Sequence, residues 1–245
     1  MRTETFLVPS GASFTIRETT GADDEIMSSQ DDSNIVLAKY LAAVIQSIDG
    51  VSPVTPEMVN GLLLRDKYVA LVKSRIFSLG NLLYFNHSFD PVQPPYEFIQ
   101  DLNDFVWDYS QPFPYDVTDP LYKEERIAPY KVKVMEKTLT SGKVIKMDCL
   151  DGKGEAFLLK LTPARRTINS QLLARNIQLL ENGIYTPVRF FGNLSSREMA
   201  EIRALYEEND PPTEGLMTIQ NPETGQYQRV SILEVRDFFF PVKIS

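Results

Sequence analysis

The chain has 245 residues, 43% of them hydrophobic and 24% charged, and carries a net charge of −8. That length holds one large or two small domains, the balance is that of a folded chain, and the acidity disfavours a nucleic-acid partner unless folding gathers a basic patch. A lone cysteine, Cys149, and a lone histidine, His87, exclude an intrachain disulfide and a Cys/His zinc cluster.

The opening MRTETFLVPSG lacks the apolar run of a signal peptide, so the chain is expected to stay in the cytoplasm where it is made. Thr5–Val8, a turn at Pro9-Ser10-Gly11 and the alternating Ser13-Phe14-Thr15-Ile16 predict a β-hairpin with one buried face. Asp23-Asp24-Glu25 then suits the start of a helix, where negative charge meets the positive end of the dipole, and is expected to be solvated. Ser33-Asn34 can cap the next helix, whose stripe Leu37, Leu41, Val44, Ile45 and Ile48 faces a core until Asp49-Gly50 stops it. Thr55 as N-cap and Pro56 at the first helical position restart a helix. Leu62, Val69, Val72, Ile76 and Leu79 keep helical spacing up to Gly80, which is placed as a left-handed cap. Apolar runs such as Val69–Val72 are far shorter than the roughly 20 residues of a membrane span, so none is expected.

Phe85 to Pro129 is rich in proline and aromatic residues, including Trp107, Phe113 and Tyr115. It predicts an ordered, extended connection that packs either on the same chain or on another, with one short helix over Glu97–Tyr109. The order of the first stretch then returns. A strand Tyr130–Leu139, a turn Thr140-Ser141-Gly142, a strand Lys143–Met147, Gly152 and a helical stretch lead to a helix over Arg165–Leu180 bearing Ile168, Leu172, Leu173, Ile177 and Leu180 on one face and ended by Asn182-Gly183. Ser10-Gly11 aligns with Ser141-Gly142, Phe14 with Ile145, Ile16 with Met147, Gly21 with Gly152, Ile45-Gln46 with Ile177-Gln178, Pro53-Val54 with Pro187-Val188, and Arg65-Asp66 with Arg197-Glu198. An ordered set of this kind predicts an internal duplication. Ser195-Ser196-Arg197-Glu198 reads as a capping box. A hairpin with its turn at Pro222–Gly225 follows, and Phe238-Phe239-Phe240 must be buried, in the core or under a partner.

The expected fold is therefore α+β: two tandem hairpin plus helix-turn-helix modules joined by the connection, with a C-terminal β segment, divided as 1–84, 85–129 and 130–245. Chemistry finds little footing. No phosphate-binding or dinucleotide glycine motif occurs, so no cofactor is expected. His87 has no nucleophile-elbow glycines beside it, and acidic and apolar neighbours would leave Cys149 an inert thiol. Paired carboxylates such as Asp23/Asp24, Asp31/Asp32 and Glu207/Glu208 are adjacent in sequence and do not share a face. Arg65-Asp66 and Arg197-Glu198 stand out because they recur at the head of equivalent helices; they suit either an intramolecular ion pair or cap, or a contact to a neighbouring subunit.

The stretch L-x-P-S-G … I-R-E-x-T-G-x-D-D-E-I (Leu7 to Ile26), with Ile48-Asp49-Gly50 and L-L-x-R-D-x-Y-x-x-L-x-x-x-R-I-x-S-L-G (Leu62 to Gly80), resembles the baseplate-hub protein family of contractile-tailed, T-even-like bacteriophages. In that family a strand and a cysteine-rich, zinc-knuckle-like element usually follow the glycine; here Asn81–Asn86 has no cysteine, so no metal site is inherited. The resemblance implies a structural tail protein, not an enzyme, with Arg65, Asp66, Arg75 and Gly80 serving architecture and subunit contact. It implies a place in the virion tail baseplate, and partners among the hub, tape-measure and tube proteins together with copies of the chain itself in a symmetric ring. A tail-assembly chaperone absent from the finished particle is the alternative, and a small enzyme with an unrecognised site the remote one. A duplicated module fits the structural reading independently, because it presents two similar surfaces to neighbours.

Overall fold

Phe14 and Ile16 alternate with polar neighbours, and the computed structural model buries both completely on the inner face of a hairpin. The structure describes residues 1–31, 33–90, 94–110, 122–127, 130–210, 215–232 and 235–241, with backbone alone for 33, 107–110, 122–127, 130–133 and 236. Strands β1 (Thr3–Leu7) and β2 (Ser13–Arg17) pair antiparallel, with Phe6 opposite Phe14. Helix α1 (Gly21–Met27) follows, then α2 (Ser33–Val44), a third strand β3 (Ile45–Ile48) that pairs with β2, the short α3 (Pro56–Asn60) and the long α4 (Leu64–Leu79). Thr55 caps α3 as expected, its hydroxyl accepting from the Met58 amide.

β4 (Leu82–His87) and β5 (Tyr96–Asp101) form a second hairpin, and α5 (Asn103–Ser110) follows. The single helix expected over Glu97–Tyr109 is thus half strand. Phe98 stacks on Phe85 across the pair with ring centroids 5.6 Å apart, and the Asp101 carboxylate accepts from the Asn103 amide to open α5. Trp107 lies in α5; Phe113 and Tyr115 lie outside the described residues.

A five-stranded antiparallel sheet comes next, in the order β10-β9-β8-β7-β6. Its strands are β6 (Tyr122–Ile127), β7 (Tyr130–Thr138), β8 (Val144–Asp148), β9 (Gln178–Glu181) and β10 (Ile184–Pro187). Between β8 and β9 lie α6 (Gly152–Leu159) and α7 (Ile168–Ala174); after β10 come a 3-10 turn, Phe191–Asn193, and α8 (Ser196–Asn209). Strands β11 (Leu216–Gln220) and β12 (Tyr227–Ser231) form the expected C-terminal hairpin, and α9 (Arg236–Phe239) ends the described chain.

The fold is α+β, and the two halves run in a similar but not identical order: hairpin, helix, helix, strand, short helix and long helix in the first, with a 3-10 turn between the helices, the extra strand β10 and a 3-10 turn in place of the short helix in the second. The agreement extends to backbone detail. In the first turn the Val8 amide donates to Ala12 O and the Gly11 amide to Val8 O; in the second, Leu139 donates to Lys143 O and Gly142 to Leu139 O, and Gly11 and Gly142 share a φ of 87°. Thr20 and Asp151 are the N-caps of α1 and α6, Leu63 and Ser195 those of α4 and α8.

In both halves the helix expected to continue gives way to a strand. Ile45 and Ile48 leave α2 for β3, where pairing with β2 buries both. Asn176, in the left-handed region at φ 50°, ends α7, and Leu180 lies in β9. Asn182-Gly183 is therefore the turn of a β9-β10 hairpin rather than a helix stop, as Asp49-Gly50 is the turn after β3. One continuous apolar core joins the halves, running from Phe14, Leu41 and Leu71 to Met147, Ile202 and Phe238.

Candidate functional site

With four sheets among the described residues and one shared core, polar ties sit where hairpins meet helices and where the halves meet each other. At the first place, the Ser10 amide donates to Asp66 Oδ1 at 3.0 Å, tying the β1-β2 turn to the head of α4. The second half repeats the tie with different atoms: Ser141 Oγ donates to Glu198 Oε1 at 2.6 Å at the head of α8. Asp66 is fully buried and Glu198 nearly so. Glu198 also closes the predicted capping box, accepting from the Ser195 amide at 2.6 Å while Ser195 Oγ accepts from the Glu198 amide. The Ser141 bond, the Ser195 amide and Lys143 Nζ hold the Glu198 carboxyl down at about 2.

The recurring carboxylates are thus architectural ties, while their arginine neighbours diverge. Arg197 is exposed, its side chain 77% accessible, and reaches Glu201 at 3.6 Å. Arg65 is half-buried and lines a small void with Pro9, Leu63, Cys149 and Asp210. The buried Cys149 thiol sits in the wall of that void.

The halves meet head against head at two helices. The Leu64 amide donates to Leu150 O at 2.8 Å and the Gly152 amide to Leu62 O at 3.1 Å, so Leu63 and Asp151 form an antiparallel bridge. These amides belong to the first residues of α4 and α6, which have no acceptor within their own helices; each half supplies the other's. Lys67 Nζ pairs with Glu155 at 2.9 Å across the same joint, with the lysine side chain 3% exposed. The Asp210 carboxylate accepts from the Leu150 amide at 2.8 Å and from Arg175 Nε at 2.7 Å, pinning the end of α8 to this joint. Burial raises the Asp210 carboxyl, and Arg175 pulls it back.

Arg75 ties helix α9 to the end of α4. Arg75 donates from Nε to Phe238 O at 3.0 Å and from Nη1 to Gly80 O at 2.8 Å. Burial lowers its pKa. Gly80 takes φ 88° with ψ 167°, an extended positive-φ conformation rather than the expected left-handed helical one, because the chain must turn outward into β4. Phe238 is buried, Phe239 and Phe240 partly so, and Phe239 meets Tyr40 edge-on at 6.5 Å. Phe238 therefore belongs to the core and Phe239 packs against it.

Asp23 corrects the expectation of a solvated helix start. It is 1% exposed and takes two bonds from Arg17, at 2.6 and 2.7 Å, and a third from the Thr20 amide. Burial alone would raise its carboxyl, but Arg17 and Thr20 outweigh that and hold it below the usual range. An open groove of about 770 Å³ runs along the joint, with Ile35, Asn60, Lys153, Phe157 and Lys160 in its walls. Among the described residues no three His, Cys, Asp or Glu side chains gather as metal ligands, and no helix is long and apolar enough to cross a membrane.

The residues of the two hairpin ties stood out in the sequence as the Ser-Gly and Asp/Glu matches, but not as partners of each other. The Arg175–Asp210 and Lys67–Glu155 pairs join residues 35 and 88 positions apart and carry no such signal. Compared with protein-family models, curated proteins and solved structures, the chain matches none.

Proposed function

We propose that this protein is a structural subunit of a bacteriophage tail baseplate, a hub or adaptor component that works through protein–protein contacts and performs no catalysis. The observation that supports the reading is the pair of comparable hairpin-to-helix ties, Ser10–Asp66 and Ser141–Glu198; a module built twice on them would give one chain two similar surfaces for neighbours. The resemblance of Leu7–Gly80 to baseplate-hub proteins supplies the biological setting, and its signature residues act here as braces: Asp66 on the hairpin, Arg75 and Gly80 on the C-terminal segment. In this reading the chain arises by duplication, its partners are tail proteins and copies of itself, and its location is the virion.

Quantitative mass spectrometry of purified particles tests it. A fixed small ratio to the tail-tube protein, as a three- or six-fold ring would give, is the expected result. Presence in the infected lysate but absence from particles would replace it with a tail-assembly chaperone, and absence from both would remove the phage setting.

A further inference from the structure

The contact between the halves has a direction. The first half offers the head of α4 (Leu62–Lys67) and the second the head of α6 (Leu150–Glu155). If the halves were related by a two-fold axis, the reciprocal contact would join the head of α8 to the head of α1, since Leu63 corresponds to Ser195 and Asp151 to Thr20 as N-caps. Among the described residues no hydrogen bond or ion pair joins Thr19–Asp24 to Leu194–Met199, and Thr20, Gly21, Asp24, Ser195, Ser196 and Arg197 are all exposed. The contact is heterologous, and it leaves one half-surface uncovered in each half.

The two glycines that open α1 and α6 sharpen this. A Cβ on Gly152 would lie 2.9 Å from the backbone oxygen of Asn60 in the other half, so the close approach requires glycine there. Gly21 holds the same place in the first half, has no positive φ, and a Cβ on it would meet nothing within 4 Å. Among the described residues nothing calls for a glycine at Gly21. A second backbone approaching as Asn60 approaches Gly152 would.

The two uncovered surfaces also differ in charge. Glu155, four residues after its N-cap, receives Lys67; Asp24 stands four residues after Thr20 and is exposed. On the other surface Met199 stands at the place of Lys67, and the cations are Arg189 and Arg197, both exposed, beside the exposed ring of Phe190, with Arg197 also 3.6 Å from Glu201 of its own helix. The exposed Asp24 carboxylate can meet an arginine there.

We infer that copies of this chain associate head to tail, the Thr20–Asp24 surface of one seating on the Leu194–Arg197 surface of the next and repeating between chains the contact that Leu62–Lys67 makes with Leu150–Glu155 within one. The Ser196 amide donates to Thr19 O of the neighbour and the neighbour's Gly21 amide donates to Leu194 O, the equivalents of the Leu64 and Gly152 bonds. Such an interface closes into a ring or runs on as a filament and does not stop at a symmetric dimer. The inference deepens the reading of the chain as an assembly subunit and rests on it for its purpose, but its physical basis is the repeat alone.

The test uses the full-length purified protein and two proline variants, Gly21→Pro and Ser196→Pro. Each deletes one donating amide at a first helical position, where proline suits the helix and the preceding residue is already extended, so each monomer should melt no lower than wild type. By sedimentation with rising concentration, wild type should pass from 27.9 kDa to multiples of it. Each variant alone should remain monomeric, and an equimolar mixture should form a dimer that grows no further, since each variant supplies the end the other lacks. Arg197→Glu should weaken wild-type association, and adding Asp24→Lys in the same chain should restore it. A wild type monomeric up to millimolar concentration, association that survives both proline substitutions, or a mixture that stays monomeric would overturn the inference. Failure here with the chain present in particles would leave the baseplate reading standing, whereas association in solution with absence from particles would sink that reading and leave the interface.

Discussion

Glu198 shows how much one carboxylate can organise. It caps its own helix, accepts from the hairpin turn through Ser141 and meets Lys143 at 3.0 Å, all while nearly buried. Because these bonds favour the ionised form, its carboxyl titrates at about 2, below the ordinary 4.5. A depressed carboxylate stabilises the fold fully above its unfolded value and loses that contribution as pH falls through its folded one. We therefore expect Glu198→Gln to lower the urea midpoint at neutral pH, and the gap to wild type to shrink as pH drops from 4.5 toward 2. A gap that stays constant over that interval would show that the carboxylate's charge is not what holds the tie. The serine and the carboxylate were both legible as matched positions in the repeat; their bond was not, because 57 residues separate them.

Helix α9 is only four residues long and could not persist alone, since a single helical turn does not repay its nucleation. It is fixed by burial of Phe238, by the edge-on contact of Phe238 with Phe239 at 4.9 Å, and by Arg75 donating to the Phe238 carbonyl. Truncating a fully buried phenylalanine costs about 3–5 kcal/mol. Phe238→Ala should destabilise the isolated protein by that order in a denaturant titration; a variant as stable as wild type would place the ring's role in a partner's surface instead. Composition alone announced that three phenylalanines had to be covered, but choosing between core and partner required knowing that the C-terminus returns to α2, α4 and β4. The same limit explains β3 and β9. The i, i+3 spacing of Ile45 and Ile48, or of Ile177 and Leu180, reads as a helix face and would fall on opposite faces of a strand, so only the open edges of β2 and β8 decide for the strand.

For the molecule as a whole, the joint between the halves is the point of greatest leverage. Gly152 carries it, because any side chain there would press on the Asn60 backbone. Overpacking of this kind typically costs 1–3 kcal/mol, so Gly152→Ala should lower stability by about that much. Gly21→Ala, at the matching place in open space, should raise it by about 0.4–1 kcal/mol by restricting the unfolded chain. Equal effects of the two substitutions on the denaturant midpoint would mean that the joint does not depend on close backbone approach. Since the apolar core runs through both halves, the joint sets the relation between two parts of one body.

The sequence by itself determined the α+β class, the hairpins β1-β2, β7-β8 and β11-β12, and the caps at Thr55 and Ser195, because each of these rests on residues close together along the chain. Tertiary structure alone decided that Asp23 is buried on Arg17, that β3 and β9 are strands, that Arg175 finds Asp210, and that the halves meet head to head and in one direction only. Those outcomes depend on which surfaces lie opposite one another after the chain has turned back on itself, and no local spacing encodes that.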